Sequence, residues 1–422
     1  MKISQLASRT TKNVAADEIS KNAQLLTRAG FVHKLMAGVY TYLPLGLMAL
    51  NKIENIVREE MNALGANEIL MPALQPREIW DATQRWDAID VLFKLKGAGD
   101  RDLALGPTHE EVVTPLMGTC IKSYRDLPLA VYQIQNKFRN EARAKSGLLR
   151  GREFRMKDLY SFHTDQADLD AYYDRATAAY HRVYARCGLG DRTLLTYASG
   201  GAFSKYSHEF QTLTEAGEDI VYRLPGTNIA INKEIIDDAE AMANIRATHG
   251  VAPEAQLEEC KAIEVGNIFK LGTRFSDACG VKYTDREGKV QPVIMGCYGI
   301  GPSRLLGTIA EVLADERGLI WPAEIAPFKV HLVSLAKTDD EAQAVAALYA
   351  QLQSAGLSVL FDDRAGVSAG EKLADADLLG MPHRVVVGAK SLTNQAAEWK
   401  PRPAAEAQLV PLAQLVGQLQ AA

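Results

Sequence analysis

The sequence predicts an α+β fold followed by a small α/β domain, and three observations carry that reading. Residues 131–139 and 153–160 form two strands around a polar, basic turn. An amphipathic helix over 46–64 precedes them. Its Leu47, Leu50, Ile53, Ile56, Val57, Met61 and Leu64 recur at three- and four-residue spacing, and Gly65 is a natural stop. Beyond 321–327 the pattern changes to strand–helix–strand–helix–strand, the order of a small sheet with parallel pairs and packed helices.

The other elements follow in chain order. The apolar run 67–74 contains Pro72, which cannot donate to a sheet ladder, so it is an edge or boundary strand. Such an edge calls for a cover, and a second copy of the chain is one way to supply it. Residues 166–186 form a helix with Leu169, Tyr172, Tyr173 and Ala176 on one side. Residues 214–262 are polar and mixed, with a helical stretch near 233–246, and read as an insertion. From 264 to 321 the chain returns to strand, Gly-rich turn and helix. In the last part, strands at 330–335, 357–361 and 384–387 alternate with helices at 339–354 and 369–380, and a helix at 409–419 closes the chain. The expected domains are 1–325 and 326–422.

Composition excludes several classes. With 422 residues, 47% hydrophobic and 23% charged, the chain suits two or three globular domains and not a disordered or low-complexity protein. A net charge of −5 gives no global field for nucleic acid, so any phosphate binding must come from a local patch. The five cysteines form no CxxC pair, which disfavours a zinc knuckle or disulfide framework and favours a reducing compartment. The first residues lack the apolar core of a signal peptide, and no stretch approaches the ~18 apolar residues of a membrane span. A cytoplasmic location is expected.

Three segments carry chemistry. Residues 137–157 hold eight basic residues (Lys137, Arg139, Arg143, Lys145, Arg150, Arg152, Arg155, Lys157) against two acids, Glu141 and Glu153. A solvated hairpin would carry the same charge. A phosphate-rich ligand explains better why Glu141 lies between Arg139 and Arg143, which a period of two would put on one face. Next, Gly296-Cys297-Tyr298-Gly299-Ile300-Gly301-Pro302-Ser303-Arg304 is a tight turn into a helix. Pro302 suits its first position, and Arg304 falls in its first turn, where an anion is favoured. The segment is not G-x-G-x-x-G, so a dinucleotide fold is disfavoured. Third, in Gly106-Pro107-Thr108-His109-Glu110-Glu111, Thr108 and Glu110 face one way on an extended chain; a helix start with acidic first-turn residues is the alternative. Cys297 reads as a buried, inert thiol.

Taken together and in this order, the segments resemble class II aminoacyl-tRNA synthetases, and within them the bacterial-type prolyl-tRNA synthetases. The first family motif matches residues 65–72, ending at Pro72; the second matches Phe138-Arg139-Asn140-Glu141 and Arg152-Glu153-Phe154; the third matches Gly299-Ile300-Gly301-Pro302-Ser303-Arg304. The segments 28–30, 38–40, 106–111, 156–163, 207–210, 269–273 and 362–364 match the prolyl type more particularly. The resemblance covers nearly all of the chain except about 214–262.

The resemblance implies an antiparallel-sheet catalytic domain, a C-terminal anticodon-binding domain and a homodimer. It implies activation of L-proline with ATP to prolyl-adenylate and pyrophosphate, then transfer of the prolyl group to the 3′ end of tRNA(Pro). Mg²⁺ is implied as the companion of ATP, with its protein ligands unassigned. Arg139 and Arg304 are the implied catalytic residues. Arg139, Glu141, Arg150, Arg152, Phe154, Thr273 and Arg304 would bind ATP, with Phe154 stacking on the adenine. Thr108, Glu110, Arg139, Phe162 and His163 would bind proline, a hydroxyl and a carboxylate accepting from its two N–H donors. Asp362, Asp363, Arg364 and Lys372 would read the anticodon; the residues from 326 onward carry 8 basic and 10 acidic side chains, so readout must rest on a few specific contacts. Two departures stand out. Only 54 residues separate Glu209 and Glu264, too few for the family's alanine-editing insertion. After Arg364 the segment 365–370 is neutral where the family usually has an acid. A synthetase for threonine, glycine or histidine shares the architecture, but the Thr108–Glu110 and 160–163 segments favour proline. A non-catalytic paralogue would be expected to lose Arg139 and Arg304.

Overall fold

The computed structural model describes residues 1–14, 18–144, 146–201, 203 and 206–422; Lys145, one of the eight basic residues of 137–157, lies outside them. The chain forms two compact units. One contains residues 1–36, 40–53 and 309–422, the other residues 37–39 and 54–308.

Helix α1 (Pro44–Ala63) buries Leu50, Ile53, Ile56, Val57 and Met61, as its periodicity requires, while Leu47 stays exposed. It ends where Gly65 takes a φ of +81°, and the Gly65 and Ala66 amides donate back to Asn62 and Met61. The strand expected over 67–74 is interrupted: β1 (Asn67–Glu68) runs parallel to Val131–Tyr132, the chain turns away before Pro72, and Leu74 begins a separate short strand, Leu74–Pro76. Helix α2 (Glu110–Met117) follows.

The larger unit is organised by a nine-stranded sheet. Its members are β1, β2 (Leu129–Phe138), β3 (Glu153–His163), β4 (Thr193–Ser199), β5 (Tyr206–Leu213), β6 (Asp219–Arg223), β7 (Ile229–Asn232), β8 (Glu258–Gly272) and β9 (Ile294–Ile300). The order is β5-β4-β7-β6-β8-β9-β3-β2-β1, so β1 is an edge. The central pairs β2–β3, β3–β9 and β9–β8 are antiparallel. Helix α3 (Gln166–Arg186) spans the residues its periodicity predicts and buries Leu169, Tyr172, Tyr173 and Ala176.

The segment 214–262 departs from expectation. It is an integral part of the sheet: β6 and β7 stand between β4 and β8. Because β5 also pairs with β8, strands β4 to β8 close on themselves. The helix α4 (Ala239–Thr248) begins later than the polar pattern suggested, after a single turn at Lys233–Ile235, and Ile245 packs with Leu224, Ile231 and Ile235. The apolar periodicity was weak because so short a cluster needs only a few side chains.

Helix α5 (Pro302–Val312) starts at the proline, as its missing N–H and fixed φ favour. In the smaller unit, β10 (Val330–Ser334), α6 (Asp339–Ser354), β11 (Val359–Asp362), α7 (Ala369–Leu379) and β12 (His383–Val387) give the expected alternation, with β10 parallel to both neighbours. An antiparallel extension, β13 (Ala396–Pro401) and β14 (Gln408–Pro411), was not anticipated; it shortens the last helix to α8 (Leu412–Ala421). The N-terminus belongs to this unit: the Met1 ammonium donates to the Val359 carbonyl, and Lys2 bridges to Phe361.

Candidate active site

Two adjoining cavities open on the central sheet. One, of about 400 Å³, is mainly apolar and is lined by Thr108, Glu110, Phe154, Phe269 and Cys297 among others. The second, of about 240 Å³, is polar, with Glu141, Arg150, Glu218 and Asp219 in its wall. Arg139, Glu264 and Arg304 line both.

Alternation along β3 explains the first wall. Phe154, Met156 and Asp158 point into the larger cavity, while Lys157 points the other way and donates to the Tyr180 hydroxyl (2.7 Å) and the Tyr298 carbonyl (3.0 Å). Farther along β3, Phe162 is buried in the core with Tyr160, Val113 and Leu271. His163 bonds to Ser161 and Asp168. Neither lines either of the two cavities, although both were expected to bind proline. Thr273 precedes the short helix Arg274–Ala278 and also stands outside both cavities.

Strand β2 ends at Phe138, so Arg139, Glu141 and Arg143 do not share a strand face. Arg139 is brought to the cavities by the turn, its amide donating to the Arg152 carbonyl (2.9 Å). Arg143 is exposed. The fates of the other cations differ. Arg155 is clamped by Glu54 (2.7 and 3.1 Å), Arg152 donates to the carbonyls of Glu141 and Ala37, and Arg150 pairs with Glu141 (3.0 Å) and Glu218 (3.4 Å). The Arg139 guanidinium has no hydrogen-bond or ion-pair partner among the described residues; it lies 5.3 Å from the centroid of the Phe154 ring. Burial, and then the nearby Arg304, hold its pKa below the ordinary value. A cation left so is poised for an anion. Arg304 stands in the first turn of α5, its guanidinium donating to the Glu264 carbonyl (2.8 Å) and carboxylate (3.1 Å).

The helix-start reading of the 106–111 segment holds, with Glu110 the first residue of α2 and not part of an extended chain. Glu110 and Glu111 are first-turn acids of α2, and Glu110 also lines the larger cavity. The Thr108 hydroxyl donates to Glu110 (2.5 Å), which leaves its oxygen free to accept. The Cys297 thiol donates to the other Glu110 oxygen (3.3 Å), and burial, then Glu110, raise its pKa well above the usual value. So Cys297 is buried as expected, and also faces the site.

Sequence reasoning missed the supports. Arg85 is buried among Trp80, Phe203 and Phe275 and pairs with Glu111 (2.7 Å) and Glu110 (3.5 Å). No motif surrounds it; its contacts are tertiary. Under the Thr108 turn, His109 Nε2 donates to the Pro72 carbonyl (2.9 Å), and Lys137 donates to His109 Nδ1 and to Asp158 (2.9 Å). Burial, then Lys137, push the His109 pKa down to about 4, so the ring is neutral. The basic count of 137–157 included Lys137, but nothing local told it from its neighbours.

In the smaller unit, Asp362 is buried and receives Arg364 (2.9 and 2.7 Å); Arg364 also pairs with Asp375 (2.9 Å). Lys372 donates to the Ser334 carbonyl (2.7 Å), 3.7 Å from Asp362. Asp363 accepts from the Ser4 amide and hydroxyl. The four expected anticodon contacts are thus engaged within the unit, since a buried carboxylate needs the nearest cations.

The comparisons with known proteins bear on the family and the fold. Residues 93–313 match the family model "tRNA synthetase class II core domain (G, H, P, S and T)", and 329–422 match "Anticodon binding domain". The proline–tRNA ligase of Geobacillus sp. (strain WCH70) is 36% identical, the alignment covering 99% of this chain and 98% of that one. The chain belongs to the prolyl-tRNA synthetase family. That alignment runs over 561 positions, so at least 139 of them have no counterpart among the 422 residues here. The proline–tRNA ligase of Anaplasma phagocytophilum (strain HZ) is of similar length: 40% identity over 432 positions, with 99% and 100% of the two chains covered. Among solved structures, the prolyl-tRNA synthetase of Cryptosporidium parvum, complexed with L-proline and AMP, has a TM-score of 0.76 at 16% identity, over 97% of this chain and 79% of that one. The Giardia lamblia enzyme in complex with prolyl-adenylate has 0.75 at 21%, over 93% and 73%. At these identities the likeness establishes the fold.

Proposed function

We propose that the chain is a proline–tRNA ligase, and that its two cavities divide the work of the first step. Thr108 and Glu110 accept from the two N–H donors of cationic proline. The proline carboxylate attacks the α-phosphorus of ATP, forming the acyl–phosphate bond of prolyl-adenylate as pyrophosphate leaves. Arg139, on the wall common to both cavities, spans the reacting carboxylate and phosphate, where negative charge develops. Phe154 offers its ring to the adenine, Glu141 meets the same end, and Arg150 and Arg304 take the outer phosphates. Arg152 holds the turn that presents them. The observation that carries this reading is the unpartnered Arg139 guanidinium between an apolar, acceptor-bearing chamber and a polar, cationic one. No residue here need become a covalent nucleophile: orientation alone can supply about 7–11 kcal/mol.

The donor set suits Mg²⁺ brought by the nucleotide. Such an ion keeps several waters and takes one or two carboxylates plus phosphate oxygens. Glu264, common to both cavities, is the carboxylate placed to hold it. Bound there, it would neutralise phosphate charge. Transfer to tRNA(Pro) engages 329–422 as the anticodon-binding part, through side chains other than the inward-facing Asp362, Arg364 and Lys372. The edge strand β1, with Leu70 and Leu74 exposed near it in sequence, supports a homodimer, and a part in translation supports a cytoplasmic location. The shortened insertion supports the absence of alanine editing.

The test is amino-acid-dependent ATP–pyrophosphate exchange with proline, alanine, threonine and glycine in parallel. Strong exchange with proline and weaker exchange with alanine is expected. Strong exchange with threonine or glycine alone would overturn the Thr108–Glu110 assignment. None at all, from folded protein with Mg²⁺ present, would make this a non-catalytic paralogue.

A further inference from the structure

The segment 214–262 contributes more than two strands. From it come Ala216, Glu218, Asp219 and Ala262 of the polar cavity wall. It also supplies Asn232, the last residue of β7, whose side-chain amide donates to Glu209 Oε2 (3.0 Å). Glu209 is buried on β5, in register with Asn267 of β8. Gln211 donates to the same Glu209 oxygen (2.8 Å) and to Asp219 (3.0 Å). The other Glu209 oxygen faces Asn267 Nδ2 (3.5 Å), and that nitrogen also donates to Glu264 (3.2 Å), whose second oxygen receives Arg304 (3.1 Å). A continuous line of polar contacts thus runs from Asn232 through Glu209, Asn267 and Glu264 to Arg304.

We propose that Glu209 is a positioning residue for the nucleotide side: anchored by Asn232, it acts through Asn267 to hold Glu264 against Arg304. The inference rests on the ligase reading and deepens it, giving the segment 214–262 a part in ATP binding. An acid at this position is costly unless it is used. It is buried beside two further carboxylates, Glu264 from β8 and Asp219 from β6, and its hydrogen-bond partners among the described residues are amide donors. Burial, then Glu264, push its pKa up to about 8.

The measurement is proline-dependent pyrophosphate exchange with ATP and proline varied separately, for wild type, Glu209→Ala, Glu209→Gln, Asn232→Ala, Asn267→Ala and the double variant Glu209→Ala/Asn267→Ala. Glu209→Ala is expected to raise the ATP KM about tenfold and leave the proline KM within about twofold, the effect of one lost buried contact that acts on one substrate only. Asn232→Ala should move the ATP KM the same way, less far. The double variant should be no worse than the poorer single one, because both break one line. Glu209→Gln keeps an acceptor for the amides of Asn232 and Asn267, so its ATP KM should lie between those of wild type and Glu209→Ala. Equal changes in both KM values, additive single effects, or an ATP KM in Glu209→Gln worse than in Glu209→Ala would overturn the proposal. If Glu209→Ala does not fold, the isosteric Gln variant and Asn232→Ala decide it. A wild-type protein without proline-dependent exchange would sink the ligase reading itself, a different outcome from normal exchange that ignores Glu209.

Discussion

Replacing Arg139 separates chemistry from stability more cleanly than any other change in this site. Its guanidinium has no ion pair among the described residues to lose, and Arg304 is a like charge nearby. Truncation to Ala therefore removes only packing on Phe154, about 0.5–1 kcal/mol for a cation over a ring, offset in part by relief from Arg304. The effect on activity is of another size. A preorganised donor aimed at developing charge is worth about 2.7–4 kcal/mol, a factor of about 10²–10³ in rate. Arg139→Ala should lower proline-dependent pyrophosphate exchange by that factor while its urea midpoint stays close to wild type. Arg139→Lys keeps the charge but loses the planar fork, and should fall between, about 10–100-fold down. Exchange within about threefold of wild type in the Ala variant, or a loss of activity that merely follows unfolding, would refute the placement of Arg139 at the reacting atoms.

Other outcomes follow from the same contacts. Glu110→Gln should raise the proline KM by about 10–100-fold, the cost of one charge-assisted hydrogen bond, and leave the ATP KM nearly unchanged; separate substrate titrations check this. Alanine should be activated, since a pocket separates substrates differing by a methylene by only about 1–3 kcal/mol, and alanyl-tRNA(Pro) incubated with this chain should not be hydrolysed faster than in buffer. Asp362→Asn should destabilise the smaller unit by about 3 kcal/mol in a denaturant titration, because it strands Arg364 and Lys372 without their carboxylate. Stability should also fall as the pH drops below 6.5. His109, His208 and His331 are held near pKa 4 in the folded protein, chiefly by burial, against 6.5 unfolded. Protonation then favours the unfolded chain by about 2 kcal/mol per histidine at pH 5, and the loss saturates near pH 4; denaturant midpoints at pH 7.5, 6 and 5 check the sign.

Elements with long, local periodicity were legible. Helices α3 and α6 fall on the residues their apolar spacing marks, and Gly65 and Pro302 bound their helices for reasons of backbone chemistry alone. The short strands β13 and β14 were not legible, because four to six residues without a turn signal carry no period. The site divides the same way. Thr108, Glu110, Arg139, Phe154 and Arg304 were marked by motif and do converge on one cavity. Arg85 was invisible: its partners lie 25 and 26 residues away on another element.

Sequence by itself determined the family, the long helices and the motif residues that meet at the cavities, since those depend on residue type and local spacing. Tertiary structure alone decided which charges are spent. Phe162, His163, Asp362, Arg364 and Lys372 looked available and are taken up by neighbours, whereas Arg139 has no ion pair among the described residues. Whether a charged side chain is satisfied depends on partners brought together by folding, and residue spacing does not encode that. The segment 214–262 makes the same point: its polar, weakly periodic run gave no sign that Asp219 lines the polar cavity or that Asn232 reaches Glu209, because the pairing of β6 with β8 and of β7 with β4 puts them there.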